Sequence, residues 1–460
     1  MNGDSKQRDR WLLPAIVVMA IGAALMLSLL LFSWWRFEDW FGESVFYGMS
    51  SATDLSARVL LPPGLQPDPL GHAIQPIGAL LDFVLLSVTN NVLAFHLVTV
   101  LFVWVAGIPL YALARRLVGP GPEAFLLLVL FCANPLVMSE PLRDIQAPEM
   151  AFLFALLLAW ERGQPGRWTA YSALLVSSHP IHVLDLLLQS SRHPPSGSHR
   201  LDRTRRRVRV ALLALLVAGI IAVISLVVTG NLESRHLQRV LLSAKTQWSG
   251  TGVLDQWARG LGEFLVPLGL VPLARPLLLG FALPGLSYFL YLGTFGHGNF
   301  LTTYGFFWYA AMRAMGDASV RGRRFMLAAM IAGTALHHAF LPAQNKLTPF
   351  QETGGNPFRV SAHDRLGHEI VDSLPSGWSC LAQMQFVPHL HELERVGFVE
   401  TISSDVSGWD CVLLDFRRPA RNVGPIRRIL LDYRLAAMRF LESGGYRVGR
   451  DEDGYLLLVK

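Results

Sequence analysis

The sequence predicts a mainly α-helical, polytopic membrane protein with a soluble α/β domain at its C-terminal end. Of its 460 residues, 52% are hydrophobic and 16% are charged, whereas a soluble domain has about 25% charged residues. Long apolar runs separated by short polar segments fill residues 1–342, and a mixed composition follows in 347–460. We therefore predict two domains, the first in a membrane and the second outside it.

The apolar runs predict about eleven transmembrane helices, because one crossing takes about 20 residues. The first run, 11–32, has no small-residue cleavage site after it, so we interpret it as an uncleaved anchor. Run 76–88 is either a crossing or a helix at the membrane interface, and the charge pattern favours the interface. The other predicted runs are 92–114, 125–138, 150–160, 168–178, 181–189, 210–229, 265–292 as two crossings, 306–315 and a final one that ends near 341.

Basic residues predict the orientation of these helices. Lys and Arg number 40 against 34 Asp and Glu, and they form clusters such as Arg115-Arg116 and 203–207. Basic clusters stay in the cytoplasm, which places the N-terminus there too. An odd number of crossings then puts the C-terminal domain outside, with polar loops at 34–75, 139–149 and 231–263. Because the cations lie at these turns, we expect membrane lipids and no nucleic acid as partners.

Region 347–460 has the alternation of helix and strand patterns that is typical of a small α/β domain. The predicted helices are 364–373, 386–393 and 426–442, and the predicted strands are 378–383, 398–402, 411–416, 446–448 and 455–459. The last two strands flank an Asp-Glu-Asp-Gly turn and predict a hairpin. Asp410 and Asp415 flank an apolar strand, which is a ligand position in many α/β domains. No glycine-rich phosphate loop accompanies them, so the domain is predicted mainly as a cap over the outer face.

The three cysteines match no metal-binding spacing. Cys132 lies in an apolar run, whereas Cys380 and Cys411 each lie in a predicted strand. If the C-terminal domain faces an oxidising compartment, Cys380 and Cys411 can pair; the alternative is two buried free thiols.

Several short stretches, taken in order, resemble one family. They are GHAIQP at 71–76, GIPLYALARR at 107–116, DIQAPE at 144–149, PLARP at 272–276, ALP at 282–284, Tyr304, VPHL at 387–390 and DCVLLD at 410–415. Together they are similar to a bacterial and archaeal family of predicted membrane proteins that is thought to be related to the GT-C glycosyltransferases. The resemblance implies a GT-C-like helical domain, a polyprenyl-phosphate sugar as donor, and an essential acidic residue in the first outer loop.

The first outer loop carries the predicted catalytic carboxylates. Transfer of a sugar from a lipid phosphate needs a carboxylate that accepts or orients the acceptor proton. Asp39 is the first candidate and Glu38 the second, because both directly follow the anchor, and Asp144 in the second outer loop is the third. The alternative is that these residues mark the membrane boundary or are merely solvated.

Cations and polar residues of the outer loops are the predicted substrate-binding groups, because charge-assisted donors stabilise a leaving phosphate. They are Arg143, Glu149, His72, Arg235 and Lys245. Contacts of the cations with lipid headgroups are the alternative.

Histidines near helix ends raise the question of a metal. His72, His297 and the pair His337-His338 show no known ligand spacing, and His179, His182 and Asp185 share one helical face. We interpret them as satisfied polar groups at helix ends; no cofactor is assigned, and a divalent metal stays open.

The sequence thus predicts a membrane glycosyltransferase that acts on the outer face. A transporter of a lipid-linked substrate, or a degenerate scaffold-like relative of such enzymes, is the alternative. A transporter is expected to keep ionisable residues within its spans, and the apolar runs contain few.

Overall fold

The structure is a computed structural model. The described residues are 10–37, 59–60, 92–138, 149–178, 182–190, 204–205, 208–212, 216, 219, 261–286, 300–340, 359–390, 392–399, 408–417, 433–442 and 445–460. Within them, helices make up most of the chain, and one six-stranded sheet accompanies them. We call the helices between residues 12 and 340 the helical part, and the described residues from 359 onward the tail.

We label ten α-helices in the described residues of the helical part. They are α1 Leu12–Trp35, α2 Val92–Val105, α3 Gly107–Leu117, α4 Pro122–Ala133, α5 Glu149–Glu161, α6 Pro165–Ser178, α7 His182–Ser190, α8 Pro276–Leu279 and α9 Phe300–Asp317, followed by the long α10 Val320–Phe340 as a tenth. The domain boundaries near 342 and 347 lie outside the described residues and stay predictions.

Two stretches among the described residues are long and apolar enough to cross a membrane, Leu12–Phe32 and Val100–Leu117. The predicted count of about eleven crossings is therefore not reached here, because several predicted runs form helices much shorter than the roughly 20 residues of one crossing. For example, α7 has 9 residues and α5 has 13. The predicted run 76–88 and most of 210–229 lie outside the described residues.

The stretch predicted as two crossings at 265–292 is instead broken into short turns as far as it is described. A 3₁₀ turn at Val271–Ala274 precedes α8, which has only four residues. The backbone is left-handed at Gly269 and Leu270, with φ of 58° and 59°, and left-handed residues end a helix. A Cβ on Gly269 would lie 2.3 Å from the backbone of Ala329 in α10, so the tight packing of this segment requires glycine there.

The helical part has two chemically different ends. Helices α5 and α9 run side by side in the same direction, because Glu149 contacts Thr302 at their first turns and Glu161 contacts Arg313 at their last turns. We call the end with Glu149 and Thr302 the cluster end and the end with Glu161 and Arg313 the arginine end. At the arginine end, Arg323 donates to the Val118 carbonyl at 2.7 Å.

Several arginines lie at the arginine end. Arg275 pairs with Asp317 at the last turn of α9, and Arg115 and Arg116 lie in the last turn of α3, just before Val118. Helix α1 starts at this end as well, since Trp11 stacks on Phe125 of α4 at 5.1 Å. The side of a membrane on which this end lies stays a prediction.

The tail folds around one mixed sheet. Its strands are β1 Val59–Leu60, β2 Ser379–Ala382, β3 Arg395–Phe398, β4 Cys411–Asp415, β5 Arg447–Glu452 and β6 Tyr455–Val459. The order is β1-β3-β2-β4-β6-β5, in which the first four strands are parallel and the last two pair antiparallel. Strand β1 comes from the first polar loop of the helical part. Helices α11 Ala362–Asp372 and α12 Tyr433–Glu442 complete the tail.

Most predicted elements of the tail are confirmed, with two corrections. The apolar strand near 411–416 is β4, and the predicted hairpin is β5–β6, which turns at Asp453 and Gly454 with positive φ, as a tight hairpin requires. The predicted helix at 386–393 is instead a 3₁₀ segment, Met384–Leu390, which contains Pro388. The predicted strand at 398–402 is wrong in position, since β3 starts at Arg395 and pairs with β2 there.

Cys380 and Cys411 lie side by side as free, fully buried thiols on the neighbouring strands β2 and β4. Burial raises the pKa of the Cys380 thiol well above its usual range, and a buried protonated thiol is a poor nucleophile. We expect neither cysteine to react with iodoacetamide at pH 8 until the tail unfolds, as measured by mass spectrometry of the labelled chain.

The variant Ser376→Cys is the matched control for this labelling, because Ser376 is exposed and lies four residues before Cys380. Its new thiol should react at once. Labelling of Cys380 at the same rate in the folded protein would contradict the buried strand pairing.

Candidate functional site

Four polar side chains from three helices meet inside the cluster end of the helical part. Nδ1 of His182 lies 3.0 Å from Oδ2 of Asp185, and its Nε2 lies 3.5 Å from Oε2 of Glu149. Thr302 donates from Oγ1 to the same Glu149 oxygen at 3.0 Å. None of the four residues is more than 4% exposed. We call Glu149, His182, Asp185 and Thr302 the buried cluster.

The residues of the buried cluster meet because each of them lies in the first turn of its helix. Glu149 begins α5, His182 begins α7 and Thr302 lies in the first turn of α9. His182 and Asp185 are three positions apart, a spacing that puts both on one helical face. That face of α7 points inward, since Leu186 is buried there too. Burying ionisable groups costs free energy unless they are paired, and the cluster pairs them with each other.

Further polar atoms beside the cluster have no hydrogen-bond partner among the described residues. Gln189, one turn beyond Asp185, is 1% exposed, and neither atom of its amide is bonded. The hydroxyl of the buried Thr303 is in the same condition. Gly285 packs against this wall, where a Cβ would lie 2.3 Å from the Thr303 hydroxyl. Buried polar groups without partners are rare in native proteins, so each one calls for an explanation.

A histidine between two carboxylates can hold and pass on a proton. When the imidazole is protonated, both ring nitrogens are donors, and each faces a carboxylate oxygen here. When it is neutral, one of the two contacts loses its donor. The imidazole of His182 can therefore hold a proton, and its protonated and neutral forms make different hydrogen bonds. General acid–base catalysis uses groups of this kind.

The surroundings of the cluster are ordered by a second set of polar contacts. Asn134 donates from its amide to the Tyr304 hydroxyl at 2.8 Å, and its side-chain oxygen accepts from the backbone of Leu136 at 3.1 Å. His338 in the last turn of α10 lies 2.9 Å from the Ala133 carbonyl. These contacts join the ends of α4, α9 and α10 at the same end as the cluster.

Among the predicted site residues, Glu149 is described, and the structure brings it to His182, Asp185 and Thr302. The others lie outside the described residues; they are Glu38, Asp39, His72, Arg143, Asp144, Arg235 and Lys245. Sequence reasoning found the shared face of His182 and Asp185 but interpreted it as helix-end polarity. Two signals were present, namely this spacing and the position of Glu149 at the end of a predicted outer loop.

Among the described residues, no group of three or more His, Cys, Asp or Glu side chains has an arrangement that could hold a metal ion. The tail has a second buried histidine, His363, which lies 3.0 Å from Asp415 through Nε2 and 3.0 Å from Asp453 through Nδ1. Asp415 also accepts from the backbone of Arg417 at 2.8 Å. Because these groups satisfy one another, we interpret them as structural, and the predicted ligand position at Asp415 is occupied by internal contacts.

Asp410, at the other end of β4, is engaged in the same way. Its carboxylate accepts from the backbone N–H and the hydroxyl of Ser379 at 2.7 and 2.6 Å. These hydrogen bonds lower the pKa of Asp410 below its usual range. These hydrogen bonds join the start of β4 to the start of β2, so we interpret Asp410 as a structural residue.

The apolar composition and the two helical stretches long enough to cross a membrane are features of a helical membrane protein. Residues 66–457 match DUF2079, a family of predicted membrane proteins, and the chain belongs to that family. No match to the sequence is found among curated proteins.

Proposed function

We propose that the protein is a membrane glycosyltransferase that takes a sugar from a polyprenyl-phosphate donor, as the resemblance to GT-C enzymes implies. The observation that supports it best is the buried cluster. It lies at the end of the helical part toward which α1 runs, and α1 leads directly into the segment with Glu38 and Asp39.

In the proposed mechanism, each predicted site residue has its own role in the reaction. A carboxylate, Asp39 with Glu38 or Asp144 beside it, takes the proton of the acceptor hydroxyl, and the hydroxyl oxygen bonds to the anomeric carbon. The bond from that carbon to the phosphate oxygen breaks, and polyprenyl phosphate leaves. Arg143, Arg235 and Lys245 stabilise its charge, and Glu149 and His72 bind the sugar. His182 holds the proton that Glu149 or Asp185 would otherwise carry.

Sugar transfer by the purified protein in lipid nanodiscs tests this proposal. The probes are undecaprenyl-phosphate carrying ¹⁴C-labelled glucose, mannose, galactose or arabinose, with host-membrane extract as the acceptor source. We expect label to leave the donor lipid, and Asp39→Asn to slow its transfer about 100-fold or more, the usual size of an acid–base contribution. Asp144→Asn and His182→Asn should lower activity as well.

Asp317→Asn is the control, because Asp317 lies at the arginine end and its side chain is 46% exposed. This variant should keep its activity. If His182→Asn transferred sugar as fast as the parent protein, the cluster would have no part in catalysis. If the parent protein used none of the four donors, the proposed donor class would fail.

Transport of a lipid-linked substrate is the second candidate, and buried ionisable residues favour it. Glu149, His182, Asp185 and Glu161 are all buried inside the helical part, as in many transporters. Flipping of a fluorescent polyprenyl-phosphate sugar across a liposome membrane, without change to the sugar, would support transport. Sugar transfer without flipping would support the enzyme.

A further inference from the structure

Both stretches that are long and apolar enough to cross a membrane have one end at the arginine end. Leu12–Phe32 begins there, directly after Arg10 and Trp11, and Val100–Leu117 ends there with Arg116 as its last residue but one. The guanidinium of Arg10 lies over the Trp11 ring, 5.5 Å from its centroid. Tryptophan and arginine are typical anchors at the level of the lipid headgroups. The chemistry of the arginine end fits that level.

The first turns of α10 expose two arginines and a phenylalanine at this end. Arg321, Arg324 and Phe325 occupy positions i, i+3 and i+4, so they share one face of the helix. Both arginines are exposed, and Phe325 is 76% exposed. Val320, the first residue of α10, is exposed as well. Cations beside exposed apolar side chains are the pattern of a helix that lies at a membrane surface.

Helix α3 brings a third exposed arginine to the same place. Nη1 of Arg323 donates to the Val118 carbonyl at 2.7 Å, which fixes the start of α10 against the end of α3. A Cβ on Gly316 would lie 2.5 Å from the carbonyl oxygen of Leu117, so the end of α9 packs closely there too. Arg116 directly precedes Leu117 and is exposed. We call Arg116, Arg321 and Arg324 the arginine patch.

The carboxylates at this end are engaged elsewhere. Asp317 pairs with Arg275, and Glu161 pairs with Arg313. In the described part of the chain, no carboxylate forms an ion pair with an arginine of the patch. Guanidinium groups without a counter-ion attract anions, and each can bind two oxygens of a phosphate through parallel hydrogen bonds. The arginine patch therefore fits a phosphate ester.

Exposed leucines extend the apolar border of the arginine patch. Leu273 is 48% exposed and Leu277 is 71% exposed, and they flank Arg275, whose pairing with Asp317 holds them at the end of α9. Exposed apolar surface beside charged residues marks a contact with a membrane or a partner. A free phosphate would leave these side chains uncovered, whereas the acyl chains of a phospholipid would cover them. The apolar border therefore favours a lipid as the source of the phosphate.

We propose that the arginine patch is a binding site for anionic phospholipids. Its guanidinium groups bind the headgroup phosphate, and Phe325 and Leu277 contact the acyl chains. A zwitterionic lipid has an ammonium group that competes with the arginines for its phosphate, so the site prefers lipids with a net negative charge. The site is independent of sugar transfer, because it lies at the end of the helical part opposite the buried cluster.

Native mass spectrometry of the full chain in dodecyl maltoside measures this binding. Palmitoyl-oleoyl phosphatidylglycerol and palmitoyl-oleoyl phosphatidylcholine are added in separate titrations, and bound lipids are counted. We expect phosphatidylglycerol to bind at least about tenfold more tightly, because each arginine near anionic lipid contributes a factor of about five. The variant with Arg116→Gln, Arg321→Gln and Arg324→Gln should lose this preference. A preference that persists in this variant would overturn the site.

The tail offers a control with the same change of charge. The variant with Arg359→Gln, Arg365→Gln and Arg447→Gln removes three exposed arginines outside the helical part, and it should keep the preference for phosphatidylglycerol. An equal loss in both triple variants would mean that the net charge of the chain, and not the arginine patch, selects the lipid.

Replacement of the three patch arginines by lysine tests the paired hydrogen bonds. Lysine keeps the charge but lacks the guanidinium fork, so the preference should be intermediate, and full preference would overturn phosphate binding by the fork. This variant also decides the role of the patch if circular dichroism shows that the glutamine variant is unfolded, since loss of the preference in a folded lysine variant supports the site.

Glycerol 3-phosphate and Phe325→Ala separate a lipid from a free phosphate. Glycerol 3-phosphate carries the phosphate ester without acyl chains, so at equal concentration it should not displace phosphatidylglycerol. Displacement would overturn the assignment to a lipid. Phe325→Ala should weaken the binding of both lipids by a similar factor, because it removes an apolar contact and no phosphate contact. Unchanged binding of both lipids would contradict the acyl-chain contact.

Discussion

Replacement of Glu161 by Ala is expected to lower the free energy of unfolding by about 3–5 kcal/mol, the usual cost of breaking a buried ion pair. Glu161 is 4% exposed, and its two carboxylate oxygens accept from the Tyr309 hydroxyl and the Arg313 guanidinium, each at 2.5 Å. Alanine would remove the carboxylate that accepts from both donors. Circular dichroism of the protein in dodecyl maltoside, titrated with SDS, measures the change.

The exposed pair Arg275–Asp317 at the same end is the matched control. Both of its side chains are almost half exposed, and an exposed pair contributes about 0–1 kcal/mol. Asp317→Asn should therefore shift the SDS midpoint much less than Glu161→Ala, with Glu161→Gln between the two. Equal shifts for Glu161→Ala and Asp317→Asn would mean that α5 and α9 are not joined through Glu161.

Gly367→Ala is expected to destabilise the tail by about 1–3 kcal/mol, although alanine normally favours a helix over glycine. The added methyl group would overlap the Tyr455 hydroxyl and the Phe37 ring. Tyr455 cannot move aside cheaply, because it is fully buried and stacks on His363 at 4.1 Å. Iodoacetamide labelling of Cys380 and Cys411 against temperature measures the unfolding of the tail.

Two variants sharpen this prediction. Gly166→Ala, in α6, has no atom within 4 Å of the added carbon, and it should leave thiol protection in the tail unchanged. Adding Tyr455→Phe to Gly367→Ala removes the closest overlapping atom and should recover part of the loss. If Gly367→Ala stabilised the tail, the Phe37 ring would not occupy the space against α11.

Elements that depend on local sequence were predicted well. The strand at Cys411–Asp415 is a run of apolar residues that ends at an acidic one, and the hairpin at Asp453-Gly454 follows from the turn residues themselves. The arginine end was predicted because its basic residues lie at helix ends in the sequence. Such patterns depend on neighbouring residues, so they can be read without the fold.

The candidate site was predicted only in part, because its contacts are not local. Glu149 and Thr302 are 153 positions apart, and no spacing in the sequence relates Glu149 to His182. The length of the helices was also misjudged just before Val271–Ala274, where the left-handed residues Gly269 and Leu270 interrupt an apolar run. Hydropathy reports how apolar a run is, and it does not report where the backbone turns.

By itself, the sequence determined the class of the protein, the clustering of its arginines and the α/β character of its tail, because composition, charge and short-range periodicity act residue by residue. Only the tertiary structure decided that His182 lies between two carboxylates and that Phe37 and β1 complete the tail. The contacts of His182 form because a buried ionisable group needs a partner. The contacts of Phe37 and β1 form because an apolar pocket and an open sheet edge need to be covered. Which distant segment meets each need is decided by the packing of the whole chain.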